Sequence, residues 1–188
     1  NKKKALITFV TGCDPDYNTS QKILKELVKQ GANVLEIGMP FSDPMADGPS
    51  IQKSNLRSLS TGTNMKKIFR LVSDFRKKNK VTPIVLMGYL NPILSFGIEK
   101  FFKSAKSAGT DGLIVVDVPP EEDDEIFNSA KENNIDLIKL ATPTTNIERL
   151  KKILKTCSGF LYYVSIKGIT GAKSADPKIV RNAIKNIK

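Results

Sequence analysis

The sequence predicts an α/β fold in which a parallel sheet curves into an incomplete (β/α)8 barrel, with about six of the eight β/α units present. Short apolar runs alternate six times with amphipathic segments over 188 residues. Such runs are typical of parallel strands that helices cover. Polar or acidic residues recur near the ends of the runs, at Asp14, Glu36, Asn91, Asp117 and Thr142. This recurrence favours a barrel over an open doubly wound sheet, because a barrel brings all its βα loops to one mouth.

Six strands are predicted from short aliphatic runs bounded by glycine, proline or polar turn residues. They are residues 5–10, 34–38, 83–87, 112–118, 135–140 and 159–164. The second run is unusual because it contains an acid, Glu36. On a period of two, Glu36 shares its face of the sheet with Val34 and Gly38, while the residues between them point the other way.

The helices are predicted from apolar residues spaced by three and four positions. The first helix follows residue 20, the second covers 50–59, and the third begins at 63. The later helices cover 98–108, begin near 120, and cover 145–155 and 176–188. In the first helix, residues 18–20 are the N-cap candidates and Gly31 ends the helix. After the fourth strand, Pro120 is placed at the first helical position, because the acids that follow it suit the positive end of a helix.

Composition and length predict one domain, residues 1–188, because 40% hydrophobic content is enough for a sizeable core. No apolar run approaches the ~18 residues of a membrane span, and the N-terminus lacks the apolar core of a signal peptide. A cytoplasmic protein without membrane contact is therefore expected. The chain begins with Asn and ends in an uncapped helical pattern, which predicts truncation at the C-terminus and at the N-terminus.

The formal net charge of +11 raises the possibility of a nucleic-acid partner. The lysines, however, are spread over every predicted helix, and no aromatic residues interleave them for stacking on bases. This distribution favours solvated helix faces, so no nucleic-acid partner is expected.

The choice of chemistry is narrowed by the absence of histidine. The two cysteines, Cys13 and Cys157, are far apart in sequence and have no histidine to complete a thiolate site. Metal binding through Cys and His and Cys-His catalysis are both disfavoured. Proton transfer near neutral pH must then fall to Glu, Asp, Tyr, Lys or Cys.

Glu36 and Asp47 are the first candidates for that chemistry. Burying an unpaired carboxylate costs several kcal/mol, so Glu36 has either a partner or a raised pKa. Asp47 ends the loop that follows the same strand, and two carboxylates in different environments can keep one protonated and the other ionised. Ordinary Asp-Gly turn chemistry explains Asp47 about equally well. For Asp43, a turn ahead of Pro44 is the preferred interpretation.

Further candidates lie at later strand ends. Tyr162 and Tyr163 point to opposite faces of the sixth strand, so one of them points inward, where a tyrosine is often only a core residue. Residues 168–171, Gly-Ile-Thr-Gly, suit a mobile lid, although two glycines alone are a weak signal. Asp117 either contributes to the mouth or only holds loop backbone.

The acidic segment at residues 36–49, EIGMPFSDPMADGP, closely resembles the signature of the tryptophan synthase alpha subunit family. The likeness extends to residues 9–15 (FVTGCDP), 87–92 (MGYLNP), 117–121 (DVPPE) and 162–171 (YYVSIKGITG). It covers essentially every residue present, and it implies a TIM barrel.

The resemblance implies a lyase of tryptophan biosynthesis that cleaves indole-3-glycerol phosphate to indole and glyceraldehyde 3-phosphate, without a metal or organic cofactor. Glu36 matches the general acid/base of the family. Asp47 matches the residue that binds the indole N–H and stabilises the positive charge that develops on the ring.

Other matched positions imply substrate and partner contacts. Phe9, Met87 and Tyr162 match residues that line the indole pocket, Thr170 matches a lid residue, and Gly171 matches a phosphate-binding glycine. The implied partner is a PLP-dependent beta subunit in an α2β2 heterotetramer, with Asp43 and Pro44 in the contact surface.

The seventh and eighth units of the family barrel, which carry most of its phosphate-binding glycines, are missing from the sequence. We therefore expect the 188-residue chain alone to have little or no lyase activity and a longer parent to be active. Two alternatives remain open at this point: a non-catalytic activator of the beta subunit, and another phosphate-sugar-binding barrel.

Overall fold

The computed structural model of the chain describes residues 4–165, 178, 180, 181, 184 and 185. Its strands are β1 Ile7–Thr11, β2 Val34–Gly38, β3 Ile84–Gly88, β4 Gly112–Val115, β5 Asp136–Leu137, β6 Lys139–Ala141 and β7 Leu161–Tyr163. Its helices are α1 Tyr17–Lys29, α2 Pro49–Ser60, α3 Met65–Arg76, α4 Leu90–Phe96, α5 Ile98–Ala108, α6 Asp124–Glu132 and α7 Ile147–Lys155. The predicted helix at 176–188 lies largely outside the described residues.

All the strand pairs are parallel, and the strands lie side by side in chain order. The first sheet has the order β1-β2-β3-β4-β5, and β6 pairs with β7. β5 and β6 are two parts of the predicted fifth strand, separated at Ile138, whose N–H still donates to the Leu113 carbonyl at 2.9 Å. A doubly wound sheet reverses its strand order at a switch point. The described strands show no such reversal, so the order is that of a barrel.

The sheet is strongly curved, because side chains from β2 to β7 meet on one face. Val85, Ile114 and Ile138 are buried there, and Val34 and Tyr162 pack against them. In a flat sheet, β2 and β7 would be four strand spacings apart, roughly 19 Å. Their contact with one cluster confirms the predicted incomplete (β/α)8 barrel, and this concave face is called the inner face below.

The main core lies between the outer face of the sheet and the helices. Leu35, Ile37 and Leu86 on the strands are buried against α3 and α5. The predicted helical stripe of α3 is confirmed, since Ile68, Leu71, Val72 and Phe75 are all buried. Phe101 and Phe102 of α5 pack edge to face at 5.4 Å between ring centroids. This layer fixes the positions of the strands and therefore also the positions of the side chains at their carboxyl ends.

Some predicted helix starts are wrong. α1 is capped by Asp16, whose carboxylate accepts from the Thr19 N–H at 2.9 Å, so residues 18–20 lie inside the helix. β4 ends at Val115, and α6 begins at Asp124 with Asp123 as its N-cap, so Pro120 lies in the preceding loop. The acids after Pro120 suggested an earlier start, but most of them precede the first turn of α6. The helix α4 was not predicted.

Helix α2 buries a polar face. Ser54, Asn55 and Ser58 are its buried residues, while Leu56 is 60% exposed. The Ser54 and Thr11 hydroxyls are 2.6 Å apart, and the Ser58 hydroxyl donates to the Gly12 carbonyl at 2.7 Å. These bonds join α2 to the carboxyl end of β1.

No helix within the described part of the chain has both the length and the apolar character that crossing a membrane requires.

The amino ends of the strands are held by the guanidinium of Arg76, which is mostly buried. Its Nε donates to the Gly109 carbonyl at 2.7 Å, and its Nη1 donates to the Thr82 carbonyl at 2.7 Å. It also pairs with Asp111, whose carboxylate accepts from the Ile84 N–H at 2.7 Å. One side chain therefore satisfies backbone groups at the amino ends of both β3 and β4.

Replacing Arg76 with Met should lower the free energy of unfolding by roughly 2–4 kcal/mol, because the carbonyls lose their donor and Asp111 loses its counter-charge. The matched control is Arg70→Met on the same helix, where an exposed arginine pairs with Asp74, and the loss should stay below about 1 kcal/mol. Urea unfolding of the three proteins measures both differences. Equal losses in the two variants would contradict this account of Arg76.

Candidate active site at the carboxyl ends of the strands

The centre of the candidate site is the carboxyl group of Glu36 on β2. The residue is only 3% exposed. It lies in register with Phe9 on β1 and Val85 on β3. Within the described residues, no hydrogen bond or ion pair reaches this carboxyl group. Burial therefore raises the pKa of Glu36 from 4.5 to about 7. Of the two outcomes expected for an acid on this strand, a partner or a raised pKa, the structure has the second.

Asp47 is half-buried in the loop between β2 and α2. Its own N–H donates to the Pro44 carbonyl at 3.1 Å, which makes the loop turn back on itself. Its carboxylate accepts from the Asn55 side chain at 3.2 Å. Burial raises the pKa of Asp47, while hydrogen bonds from Asn55 and Tyr89 oppose that rise. Turn chemistry and a positioned carboxylate are therefore both present at this residue.

Tyr89 directly follows β3, and it is buried against the same loop. Its hydroxyl oxygen accepts from the Ala46 N–H at 3.1 Å, which ties Tyr89 to the residue before Asp47. Its ring packs on that of Phe41 at 5.5 Å between centroids. Burial first, and the charges of Asp47 and Asp117 after it, raise the pKa of Tyr89 to about 12. The hydroxyl thus stays protonated at neutral pH.

Tyr89 and Asn55 were missed as site residues from the sequence. The sequence does hold a signal for Asn55: Ser54, Asn55 and Ser58 fall on one face of α2. This polar face is buried in the structure, whereas helices usually bury an apolar face. Tyr89 lies in the motif at residues 87–92, but nothing in that run tells which residue reaches the neighbouring loop. Its role follows only from the packing of β3 beside β2.

The predicted pocket residues have different surroundings. Tyr162 and Met87 pack against the inner-face cluster. The ring of Phe9 lies over Gly38 and leaves no room for a side chain there. The pKa of Tyr162 is raised first by burial and then by the negative charge of Glu36, so these two groups interact across the barrel. Thr170 and Gly171 lie outside the described residues.

The two residues predicted to contact a partner differ in exposure. Asp43 is exposed and bonds the Ser42 hydroxyl, whereas Pro44 is buried within the loop. Met45, the next residue, is 79% exposed. The outward surface of this loop is therefore formed by Asp43 and Met45 rather than by Pro44.

The other polar residues at the mouth bond to the protein itself. The Asp14 carboxylate accepts from Arg57 Nε at 2.9 Å and from its Nη2 at 2.8 Å. Asp117 accepts from the Leu90 N–H at 2.8 Å, so it holds loop backbone. The Thr142 hydroxyl is within hydrogen-bonding distance of Thr144 and Thr145. These contacts shape the mouth, and among the acids that the structure describes there, Glu36 is the one without a partner.

A metal centre is not assembled by the described residues, among which no three His, Cys, Asp or Glu side chains form a group that could hold an ion. The site instead supplies a carboxyl group that is half-protonated near neutral pH and a second carboxylate that accepts a hydrogen bond from Asn55. The first can donate and accept a proton, and the second can accept a ligand N–H or stabilise a positive charge.

Fold and site together define a (β/α) barrel protein with acid–base groups at the carboxyl ends of its strands, which is where such barrels carry their active sites. The family model for the tryptophan synthase alpha chain matches residues 1–188. The chain belongs to the tryptophan synthase alpha chain family.

Solved structures of this family are similar over most of the chain. The Legionella pneumophila str. Paris alpha subunit is 43% identical over 87% of this chain and 62% of its own length, with a TM-score of 0.85. In the Pyrococcus furiosus tryptophan synthase α2β2 complex, the matched chain is 40% identical over 97% of this chain and 73% of its own, with a TM-score of 0.88. Mycobacterium tuberculosis tryptophan synthase is 31% identical over 99% and 72%, with a TM-score of 0.87. The chain thus spans between 62% and 73% of these three lengths.

Stability should depend on pH through Glu36. Since its pKa is about 7 in the folded chain and 4.5 when exposed, the folded chain holds more protons between these values. The free energy of unfolding should then fall as pH rises through this window and level off above it. The fall is on the order of 3 kcal/mol for a shift of this size. Glu36→Gln should remove this component.

Urea unfolding of the wild type and of Glu36→Gln from about pH 5 to about pH 8 measures the difference. The chain has no histidine, the side chain that ordinarily titrates in this range. Glu99→Gln, which changes an exposed glutamate, is the control and should follow the wild type. A wild type and Glu36→Gln variant with parallel pH curves would show that Glu36 titrates normally.

Proposed function

We propose that this chain carries the catalytic site of a tryptophan synthase alpha subunit and cleaves indole-3-glycerol phosphate to indole and glyceraldehyde 3-phosphate. The observation that carries the proposal is the buried, unpaired Glu36, whose pKa of about 7 makes it an acid and a base at the same pH. Family membership supports the choice of substrate. No cofactor is required, because the reaction is a proton-coupled retro-aldol cleavage.

The proposed reaction moves two protons through Glu36. The protonated carboxyl group first donates to the indole ring carbon that bears the glycerol chain, and the ring becomes a cation. The resulting carboxylate then takes the proton of the hydroxyl on the adjacent side-chain carbon. The carbon–carbon bond breaks, its electrons return to the ring, and the hydroxyl carbon becomes an aldehyde. Glu36 ends protonated, as it began, so no other acid is consumed.

Asp47 is proposed to bind the indole N–H and to stabilise the ring cation. A carboxylate held in advance needs little rearrangement when the charge develops, which is the usual source of electrostatic catalysis. Asn55 holds it by donating to one of its oxygens, and Tyr89 holds the loop beside it by accepting from the Ala46 N–H. Phe9, Met87 and Tyr162 are proposed to enclose the ring, and Thr170 and Gly171 remain proposals for the lid and the phosphate.

A beta subunit is the proposed partner, because an α2β2 complex exists for the Pyrococcus furiosus protein. The surface offered to it would include Asp43 and the exposed side chains of Met45 and Leu56. These belong to the loop and helix that carry Asp47 and Asn55. Partner binding at this surface would then act on the second carboxylate of the site.

Replacing Glu36 with Gln should reduce kcat for indole-3-glycerol phosphate cleavage by about 10²–10⁴-fold, because glutamine cannot transfer a proton. Asp47→Asn should cost about 10²–10³-fold through lost charge stabilisation. Indole release is measured by chromatography. Because the chain spans only part of its relatives, each variant is made in the chain and in a chimera continued by the C-terminal part of the Pyrococcus furiosus subunit.

Glu99→Gln is the control in both forms and should retain the activity of its parent, because Glu99 lies on the outer helix α5. Cleavage by Glu36→Gln at the wild-type rate would contradict the proposed role. If the unmutated chain and chimera released no indole but activated a beta subunit, the protein would be an activator rather than a lyase.

Tyr89→Phe should lower kcat/KM about tenfold, because the loop that carries Asp47 loses the hydroxyl that accepts from the Ala46 N–H, while the ring remains. The control is Tyr17→Phe, where a hydroxyl donates to the Asp74 carboxylate at 2.6 Å on the outer helices. That change should leave kcat/KM unaltered. Similar losses in both variants would indicate a general effect on folding rather than on Asp47.

A further inference from the structure

Gly38 is the last residue of β2, and its backbone conformation does not require a glycine. Its φ angle is not positive, so a residue with a side chain could adopt the same backbone. A glycine in a strand loses more conformational entropy on folding than other residues and offers no side chain to pack. A glycine at this position therefore indicates that the space beside it is needed.

The space over Gly38 is occupied by the ring of Phe9. Gly38 is two residues from Glu36 on β2, so it also faces the inner side of the barrel. A Cβ placed on Gly38 would lie 2.7 Å from Cζ and 3.0 Å from Cε2 of the Phe9 ring. The next neighbour, Cα of Thr11, would lie at 3.6 Å, which is an ordinary contact. The Phe9 ring is thus what excludes a side chain here.

The Phe9 ring reaches Gly38 by leaning toward the mouth of the barrel. Phe9 is in register with Glu36, whereas its ring lies over Gly38, further along β2. The ring thus crosses from β1 to β2 on the mouth side of Glu36, where a ligand of that acid would lie. Phe9 is 37% exposed, so part of the ring is available to such a ligand. The approach of the ring to β2 therefore limits the space beside Glu36.

We propose that Gly38 determines which substituted aromatic rings the site accepts, because it lets the Phe9 ring lie against β2 and leaves room beside Glu36. This role of Gly38 rests on the proposed function, in which Phe9 encloses an indole ring. With alanine at position 38, the ring has to move away from β2, since an ordinary contact begins at 3.4 Å. That movement takes space from the ligand, so substituted indoles are rejected before indole itself.

Indole and its methyl derivatives, with the methyl group on each carbon of the six-membered ring in turn, are the probes. The full 188-residue chain contains no tryptophan, so indole fluorescence in a titration comes from the ligand alone. A single methyl group in a close-fitting apolar pocket changes affinity by about 10–200-fold. In Gly38→Ala, the Kd of at least one methylindole relative to that of indole should therefore rise at least about tenfold above the wild-type ratio.

A shorter side chain at position 9 should reverse this effect. Leucine lacks the Cζ and Cε2 atoms that a Cβ on residue 38 would meet, so combining Gly38→Ala with Phe9→Leu removes the overlap. The double variant should have the same Kd ratios as Phe9→Leu alone. An effect of the alanine that does not pass through the Phe9 ring would persist in the double variant and would contradict the proposed role.

Gly88→Ala is the matched control, because Gly88 also ends a strand beneath a side chain, but on the other side of the sheet. Met87 packs against the inner-face cluster, so Gly88, the next residue, faces outward. A Cβ there would lie 2.7 Å from Cε of Met39, which is buried in the main core. This change should lower the free energy of unfolding in urea and leave the Kd ratios at their wild-type values.

The same ratios are measured by isothermal titration in the chimera, and urea unfolding shows that each variant is folded. No saturable binding of indole by the wild type in either form, or wild-type ratios in folded Gly38→Ala, would overturn the proposed role of Gly38. Indole release by the unmutated chimera tests the lyase function separately. Cleavage with unchanged ratios in Gly38→Ala would refute only the role of Gly38, and selective binding without cleavage would refute only the lyase function.

Discussion

The organisation of this molecule depends on one desolvated carboxyl group. Glu36 is placed by β2 on the inner face of a curved sheet, where apolar side chains surround it and no described residue donates to it. In water this group would be ionised at neutral pH, whereas here the two forms are nearly equal in free energy. The curvature of the sheet, the packing of the helices and the loop after β2 all serve to keep it in that condition.

The second carboxylate, that of Asp47, differs from Glu36 because a hydrogen bond holds it in place. Helix α2 uses polar contacts to β1 where the other helices use apolar packing, and Asn55 on that polar face reaches Asp47. Tyr89 reaches the same loop from β3. Three neighbouring strand ends therefore determine one side-chain orientation, and the two acids come to differ in their environments.

Much of this arrangement was predictable. Alternation of apolar runs and helical stripes gives the six units, because these patterns follow directly from burial, and period two groups Glu36 with Val34 and Gly38 on one face. Only the structure shows that this face is the inner one. The starts of helices α1 and α6 were not predictable in this way. Several residues near each start can act as the N-cap, and the path of the preceding loop determines which of them does. The break between β5 and β6 and the contact of Tyr89 with Asp47 depend on neighbours distant in sequence. Asp117 was correctly suspected of holding loop backbone, but its partner Leu90 could not be named.

The sequential strand order has a consequence for the synthesis of the chain. Each strand pairs with the one made just before it, so a nascent chain can add one unit at a time to an existing edge without waiting for distant segments. Tyr162, however, comes from the last described strand and covers the inner face near Glu36. Until that strand docks, the inner face lacks the Tyr162 side chain, and the burial that raises the pKa of Glu36 is incomplete. Among the described units, the raised pKa is thus a property that the growing barrel acquires late.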